Sequence, residues 1–220
     1  MPTLLYIAIW LLPAAVIAYL CGCFNGAVII SKYILRDDVR NHGSGNAGLT
    51  NFWRTFGGKL TLVVILLDVV KAVAAVLIVS AILRETPYPY ATYWAGLFCL
   101  LGHMFPCMFG FKGGKGILSG GTIAIMIGLG GGVALPAWLI TVTVWGGFLL
   151  LTALTRWVSL GSCWAGASFP VVTWLVYRDI LLLLLALLIG GLILWKHREN
   201  IRRLLRGEES KLTFKKKVKP

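Results

Sequence analysis

The sequence predicts an all-α integral membrane protein with seven transmembrane helices, an outer N-terminus and a cytoplasmic C-terminus. Of its 220 residues, 58% are hydrophobic and 13% are charged, with a mean hydropathy of +0.84, whereas a typical soluble domain has about 25% charged residues. Most of its apolar runs have the roughly 17 to 25 residues that a membrane-spanning helix needs. The basic residues between these runs are distributed very unevenly.

Seven apolar runs define the predicted spans. They cover residues 4–31, 60–83, 93–109, 117–135, 136–155, 158–176 and 180–195. The seventh is short for a hydrocarbon core of about 30 Å, so flanking aromatic residues or local bilayer thinning would have to accommodate it. The first run lacks a basic leader and a clear cleavage site. We therefore expect it to stay attached rather than act as a signal peptide.

The Lys and Arg residues set the expected orientation. With seven spans and an outer N-terminus, eighteen of them lie in inner segments, and only Arg84 and Arg178 lie in outer ones. This asymmetry agrees with the positive-inside rule. We expect a single domain over residues 1–220, with a short basic cytoplasmic tail from about residue 196.

The second predicted span contains two charged residues, Asp68 and Lys71. They are three residues apart and therefore lie on one helix face. Because charges within a membrane are costly, we expect them to face the bundle and neutralise each other. They serve either as a structural pair or as support for a polar site.

The cysteines and histidines give no sign of a metal site. The five cysteines are odd in number and have no C-x-x-C spacing, and the three histidines are far apart in the sequence. We expect free thiols, no metal, no cofactor, no nucleic-acid partner and no obligate protein partner.

Polar chemistry is concentrated in four stretches that face the cytoplasm in this topology. The first is HGSGNAGLTN, residues 42–51. Gly43, Gly45 and Gly48 permit positive φ, which would let successive amides converge on an anion. Side-chain donors in and after the stretch would add to this site: Ser44, Asn46, Thr50, Asn51 and Arg54. The alternative is a glycine-rich surface turn capped by Ser and Asn.

The second stretch, GHMFPCMFGFKGGKG, covers residues 102–116. Gly113 and Gly114 between Lys112 and Lys115 suggest exposed amides beside fixed positive charge. Positive-inside anchoring alone would explain the lysines but not the paired glycines.

The third and fourth stretches are weaker signals. Ser159 and Ser162 lie at the cytoplasmic start of the sixth span, where helix amides favour a bound anion, although serines also cap and pack helices. His197 and Asn200 would share a face if the last span continues as a helix out of the membrane. The following arginines are expected at anionic lipid: Arg202, Arg203 and Arg206.

Together these stretches predict a cytoplasm-facing site for at least two phosphate-sized anions, above apolar helices that could admit an acyl chain. A transporter for phosphate or glycerol phosphate is an alternative, in which the glycine turns would be broken helices near the bilayer midplane. A metal-dependent phosphotransferase is another, but the acidic residues are scattered.

The motifs resemble those of the bacterial acyl-phosphate-dependent glycerol-3-phosphate acyltransferases. The resemblance rests on HGSGNAGLTN with Arg54, on GH..P....FKGGKG, on VSL.S from residue 158 and on HREN from residue 197. Leu49 stands where the family usually has Ala, and SLGSCW fits more loosely. The resemblance places the protein in the bacterial cell membrane, with its active site facing the cytoplasm.

The resemblance also implies an activity and roles for the residues. The enzyme would transfer a fatty acyl group from acyl phosphate to the 1-hydroxyl of sn-glycerol 3-phosphate. Glycerol phosphate would be surrounded by Ser44, Arg54, Lys115, His197 and Asn200, of which Ser44, Lys115 and His197 are the expected catalytic residues. The acyl-phosphate head would be held by Thr50, Gly113, Gly114 and Ser159 or Ser162.

The chemistry of the donor agrees with this assignment. An acyl phosphate is an activated mixed anhydride, so the protein needs only to align the hydroxyl, stabilise the oxyanion and hold the departing phosphate. The acceptor of the hydroxyl proton stays open among His103, His197 and the substrate's own phosphate.

Overall fold

The computed structural model describes residues 2–130 and 137–212, and every regular element within these ranges is helical. The predicted all-α class is therefore confirmed for this part of the chain. The α-helices are α1 (Pro2–Cys23), α2 (Gly26–Ile29), α3 (Leu49–Thr55), α4 (Leu60–Ile82), α5 (Tyr88–Met104), α6 (Ile117–Gly130), α7 (Trp138–Thr141), α8 (Gly147–Thr155), α9 (Val158–Tyr177), α10 (Ile180–Lys196) and α11 (Arg198–Leu205).

Within residues 2–130 and 137–212, five helical segments are long and apolar enough to cross a membrane. They are Leu4–Cys23, Leu60–Ile82, Tyr88–Phe109, Trp138–Thr155 and Val158–Tyr177. The fourth joins α7 and α8 through a π-helical turn at Val142–Gly146. The integral membrane class agrees with these segments, whereas the count of seven spans remains a prediction.

The two remaining predicted spans are shorter in the structure. Helix α6 has 14 residues, and the end predicted for this span, residues 131–135, lies outside the described residues. Helix α10 has 17 residues, and α11 follows it at a bend of 58°. Both fall below the usual spanning length of about 20 residues.

The first predicted span, residues 4–31, contains a break that the sequence did not reveal. Helix α1 ends at Cys23, and the Asn25 backbone is extended. The Asn25 side chain accepts a hydrogen bond from the Val28 amide at 3.0 Å, which satisfies a free N–H at the start of α2. Its amide nitrogen donates to the Ala47 carbonyl at 3.0 Å. The break therefore ties α1 and α2 to the first glycine-rich stretch.

Helix α5 packs against α1, α4, α6 and α10. At its crossing with α1, a Cβ on Gly22 or Gly102 would lie only 2.0 Å from a backbone oxygen of the other helix. Small residues at such crossings let the backbones of membrane helices approach closely. This crossing places the C-terminal end of α5, and the loop after it, beside the break after α1.

The expectation for the charged pair in α4 is confirmed. Lys71 Nζ lies 2.6 Å from Asp68 Oδ1, and the two residues are 6% and 2% exposed. The pair faces the interior of the bundle and lies beneath the polar loops.

Candidate active site

Hydrogen bonds bring the separate polar stretches together at one end of the bundle. Arg40 Nη1 donates to the carbonyl oxygens of Phe109 at 2.7 Å and Lys112 at 3.3 Å. Arg54, which follows the first glycine stretch, donates to the Ser210 carbonyl at 3.3 Å. The two arginines that flank the first stretch thus contact the second stretch and the C-terminal tail.

A carboxylate from the tail organises the centre of this cluster. Glu209 Oε1 accepts hydrogen bonds from Asn200 Nδ2 at 2.8 Å and from the Ser159 hydroxyl, while Oε2 accepts from Arg203 Nε at 2.7 Å. On the other side of the Asn200 amide, Oδ1 accepts from Lys115 Nζ. One amide therefore links the lysine of the second stretch to the serine of the third.

The charges of this cluster favour an anionic ligand. Burial lowers the pKa of Lys115 from its ordinary 10.5 to about 8; repulsion from Arg203 acts in the same direction and the Glu209 carboxylate opposes it. Burial also disfavours ionisation of Glu209, but hydrogen bonds from Ser159, Asn200 and Arg203 outweigh it and lower the Glu209 pKa. A bound phosphate would stabilise the ammonium of Lys115 that burial now destabilises.

His197 lies where the chain bends between α10 and α11. The last span does not continue straight out of the membrane as considered above, because α10 ends at Lys196 and α11 turns away by 58°. The His197 Nδ1 atom is 2.8 Å from the Ile193 carbonyl oxygen. Since a carbonyl only accepts, Nδ1 carries the hydrogen and Nε2 is left as an acceptor. Burial lowers the pKa of His197 to about 4, although the bond to Ile193 opposes this shift, so the ring is neutral at pH 7.

The first glycine stretch differs in detail from the predicted anion cradle. Gly43 and Gly45 do adopt positive φ, at 56° and 67°, but Gly48 is extended and precedes α3. The Ser44 amide donates to Asn51 Oδ1 at 3.1 Å, and the Gly45 amide donates to the His42 carbonyl at 2.9 Å. These amides stabilise the turn itself instead of converging on an open point.

Asn51 holds this turn in shape. Its Nδ2 atom lies 3.0 Å from the carbonyl oxygens of Val39 and His42 and 3.1 Å from that of Asn46, so its two hydrogens are shared among three acceptors. The side chain is 4% exposed. Asn51 therefore braces the loop from inside, while Ser44 lies exposed on its surface and Thr50 is half-buried in the first turn of α3.

The second glycine stretch packs tightly against the end of α5. The amides of Gly113 and Gly114 donate to the carbonyls of Met104 at 3.2 Å and His103 at 3.1 Å. A Cβ on Gly113 would lie 2.0 Å from the His103 carbonyl oxygen, and one on Gly114 would lie 2.2 Å from His103 Nε2. Glycine is required at both positions for this close approach, and both amides bond to α5 instead of being exposed as predicted.

An apolar cavity adjoins the polar cluster. It lies between α5, α6, α8, α9 and α10, is partly open to the outside, and its lining includes Leu100, Ile117, Phe148, Phe169 and Ile193. Ile117 follows Lys115 by two residues, and Ile193 lies one helical turn before His197. Lys115 and His197 thus lie within four positions of residues that line this apolar cavity.

A family model described as glycerol-3-phosphate acyltransferase matches residues 12–207. The chain belongs to the glycerol-3-phosphate acyltransferase family. The acyltransferase of Thermoanaerobacter pseudethanolicus is 38% identical over 205 residues, which cover 93% of this chain and 97% of that protein. That of Agrobacterium fabrum is 40% identical over 199 residues, with 90% of each protein covered.

This acyltransferase is also similar to solved structures of the family. The glycerol 3-phosphate form of PlsY, an integral membrane glycerol 3-phosphate acyltransferase, superposes with a TM-score of 0.79 at 32% identity, covering 92% of this chain and 96% of that one. The lysophosphatidic acid form of PlsY gives a TM-score of 0.76 at the same identity.

In the acyltransferase, some of the predicted site residues contact one another and others do not. Lys115, Asn200 and Ser159 meet directly through the contacts described above. Arg54 reaches the same region through the tail. The Ser162 hydroxyl instead donates to the Val158 carbonyl of its own helix at 2.8 Å, as serines in membrane helices often do.

Four residues of this region were not predicted as site residues. Glu209 was one acid among many charges in a basic tail, and Arg203, expected at lipid, is its ion-pair partner. Lys196 Nζ donates to the Met104 carbonyl at 3.3 Å and lies 4.6 Å from the Phe105 ring centre. Arg40 connects the first two stretches. The only sequence signal for them was their position beside the recognised motifs.

Proposed function

We propose that this acyltransferase moves a fatty acyl group from acyl phosphate to the 1-hydroxyl of sn-glycerol 3-phosphate. The products are 1-acyl-sn-glycerol 3-phosphate and inorganic phosphate, in the synthesis of phospholipids. The observation that carries the proposal is the contact of Lys115 with Asn200 directly beside the apolar cavity. A half-buried cation close to an apolar cavity suits a substrate with a phosphate head and an acyl tail.

The proposal divides the residues between the two substrates as the resemblance of their motifs implies. Lys115, Asn200, His197, Arg54 and Ser44 surround glycerol 3-phosphate in the proposal, with the two cations supplying the charge for its phosphate.

The acyl-phosphate head lies next to them in the proposal, at Ser159 and Thr50. Gly113 and Gly114, whose amides bond to the end of α5, instead hold the second loop in place, and the Ser162 hydroxyl bonds within α9. Gly43, Gly45, Asn46 and Asn51 shape the first loop. The acyl chain extends into the cavity toward Phe148 and Phe169, where the lining side chains are apolar.

The reaction needs no external activation of the donor. The 1-hydroxyl oxygen attacks the acyl carbonyl carbon, a new C–O bond forms, and the oxyanion is stabilised by nearby donors. The anhydride C–O bond then breaks, and its electron pair leaves with phosphate. Holding the two reactants at the correct distance supplies much of the rate enhancement.

Two groups near the reacting atoms are candidates to accept the proton of the hydroxyl: His197 and the phosphate of the substrate. His197 presents Nε2 as an acceptor, which suits it to receive a hydrogen bond from the hydroxyl, but its pKa of about 4 makes it a weak base. We therefore propose that His197 orients the hydroxyl and that the phosphate of the substrate takes the proton.

The proposed topology has seven spans, an outer N-terminus and a cytoplasmic site in the bacterial cell membrane. The excess of Lys and Arg in the segments that meet at the polar cluster supports it. In this arrangement α6 and α10 span the membrane despite their length, and α11 lies at the inner surface with its arginines toward anionic headgroups.

Purified full-length protein with palmitoyl phosphate and labelled glycerol 3-phosphate tests the reaction. With EDTA present, we expect labelled lysophosphatidate and stoichiometric phosphate. Palmitoyl-CoA should not replace the donor. Product formed only from palmitoyl-CoA, or only with added metal, would refute the proposed reaction.

Labelling of introduced cysteines tests the topology. In a Cys107→Ser background, an impermeant maleimide should label Glu85→Cys in intact spheroplasts and should label Lys112→Cys and Glu208→Cys only after permeabilisation. If the last two positions are labelled from opposite sides, the cytoplasmic site is wrong.

A further inference from the structure

Three buried polar side chains form a chain beneath the second glycine stretch. Lys71 Nζ lies 2.6 Å from Asp68 Oδ1, 2.7 Å from His103 Nδ1 and 3.0 Å from the Phe24 carbonyl oxygen. All three side chains are nearly inaccessible, with 2%, 6% and 3% exposure for Asp68, Lys71 and His103. The ammonium has three hydrogens and three acceptors, so it is fully satisfied.

This arrangement determines where the hydrogen of His103 lies. Lysine only donates, so the Nδ1 atom that faces Lys71 must be an acceptor. A doubly protonated ring would place an N–H against the ammonium, with an added charge beside it. The neutral ring therefore carries its hydrogen on Nε2, the opposite of the arrangement at His197.

The Nε2 atom of His103 faces the contact between the two glycine loops. The position where a Gly114 Cβ would lie is 2.2 Å from this atom and 2.7 Å from the Ala47 carbonyl oxygen of the first stretch. That carbonyl also accepts the hydrogen bond from Asn25. One buried ring thus contacts the second loop at the point where it touches the first.

The same three hydrogen-bonded side chains also contact the break after α1. Asp68 Oδ1 accepts a hydrogen bond from the Gly26 amide at 3.4 Å, and the carbonyl bound by Lys71 belongs to Phe24. Asp68, Lys71 and His103 therefore hold the break after α1, the end of α5 and both loops in one position.

We propose that Asp68, Lys71 and His103 form a positioning relay that fixes residues 113–116 against the first loop and so sets the position of Lys115. This inference rests on the proposed function. His103 acts through the loop and does not accept the proton of the substrate, because its outward nitrogen already carries hydrogen. The relay is a structural part of substrate binding rather than of proton transfer.

Kinetics of two His103 variants test the relay. His103→Leu keeps the volume but removes both ring nitrogens, and we expect KM for glycerol 3-phosphate to rise about tenfold through misplaced Lys115, with kcat changed less than about threefold. His103→Gln restores a side-chain N–H near the position of Nε2 and should recover most of the KM.

Other outcomes would overturn the proposal. A loss of about 10² or more in kcat in both variants, at unchanged KM, would mean that His103 acts as a general base. A lower Tm with unchanged KM and kcat would mean that it supports only the fold.

A charge-neutral variant covers the case in which the His103 variants fail to fold. Lys71→Met alone would leave Asp68 as an unpaired buried charge, whereas Asp68→Asn combined with Lys71→Met removes both charges. We expect the double variant to raise KM for glycerol 3-phosphate by a similar factor. Unchanged KM in the double variant would refute the relay.

Nitrogen NMR of ¹⁵N-histidine protein measures the tautomers directly. His103, identified by its absence in His103→Gln, should be neutral with hydrogen on Nε2 from pH 6 to 8, and His197 should carry hydrogen on Nδ1. A His103 ring with hydrogen on Nδ1 would contradict the proposal. This measurement does not depend on activity. An inactive wild type would refute the proposed function, and the tautomer of His103 would still test the hydrogen bond to Lys71.

Discussion

Lys115 donates a hydrogen bond to the side-chain oxygen of Asn200, although 85 residues separate them. The lysine follows the paired glycines after α5, and the asparagine lies in the first turn of α11. Because the Asn200 amide nitrogen contacts Ser159 and Glu209, this one contact fixes the relative position of three polar stretches. It is the centre of the candidate site.

Replacement of Lys115 should impair substrate binding. Lys115→Met removes the cation but keeps the length of the side chain, and we expect kcat/KM for glycerol 3-phosphate to fall about 10²-fold, as for a buried charged hydrogen bond. Lys112→Met is the matched control, because its side chain is exposed in the same loop. Steady-state kinetics that show equal losses for both variants would contradict the prediction.

Activity should decrease in alkaline solution. The Lys115 pKa of about 8 lies below the ordinary 10.5, so the ammonium loses its proton as pH rises through 8, while the substrate phosphate is already dianionic above its second pKa of about 6. We expect kcat/KM, which reports the free enzyme, to fall up to tenfold per pH unit above 8. Lys115→Arg should remove this decline, and a decline that persists in that variant would assign it to another group.

Loss of the Glu209 carboxylate should disturb the cluster around Asn200. Glu209→Ala leaves Ser159, Asn200 and Arg203 without their shared acceptor, so we expect a lower Tm and a kcat/KM reduced about tenfold. The Tm and kcat/KM of Glu209→Gln should lie between those of Glu209→Ala and the wild type, because this variant keeps an acceptor oxygen but loses the charge. Glu208→Ala is the control, since that side chain is exposed. Thermal unfolding and kinetics that do not separate Glu208→Ala from Glu209→Ala would refute this role.

A methyl group at Gly114 should displace the second loop. The added Cβ would lie 2.2 Å from His103 Nε2 and 2.7 Å from the Ala47 carbonyl oxygen, so the loop must move. We expect Gly114→Ala to raise KM for glycerol 3-phosphate at least tenfold, because the displaced loop would misplace Lys115. Gly191→Ala in α10 meets no atom within 4 Å and should leave both KM and Tm near wild type. If Gly114→Ala behaves like Gly191→Ala, the close packing has no role in binding.

The sequence was sufficient for features that depend on local composition. Apolar runs predicted the long helices closely; Val158–Tyr177, for example, differs by one residue from the predicted span. The spacing of Asp68 and Lys71 predicted their buried ion pair, because charges in a membrane helix must find a partner. The glycine and lysine motifs indicated the polar stretches and the family.

Other features were hidden because apolar composition does not specify where a helix ends. The break at Phe24 and Asn25 depends on a hydrogen bond from Asn25 to Ala47, 22 residues away. The glycines at 113 and 114 looked like exposed amides, but the neighbouring His103 makes them packing positions. Arg203 looked like a lipid contact until Glu209 was found beside it.

The sequence by itself determined that this chain enters a membrane and carries cationic, glycine-rich motifs, since hydrophobicity and local charge act over short stretches. Only the tertiary structure decided which donors bond within their own loop and which join distant segments, because a hydrogen bond depends on the position of both partners. Asn51 and Asn200 show this difference: one side chain is used within its own loop, while the other joins distant parts of the chain.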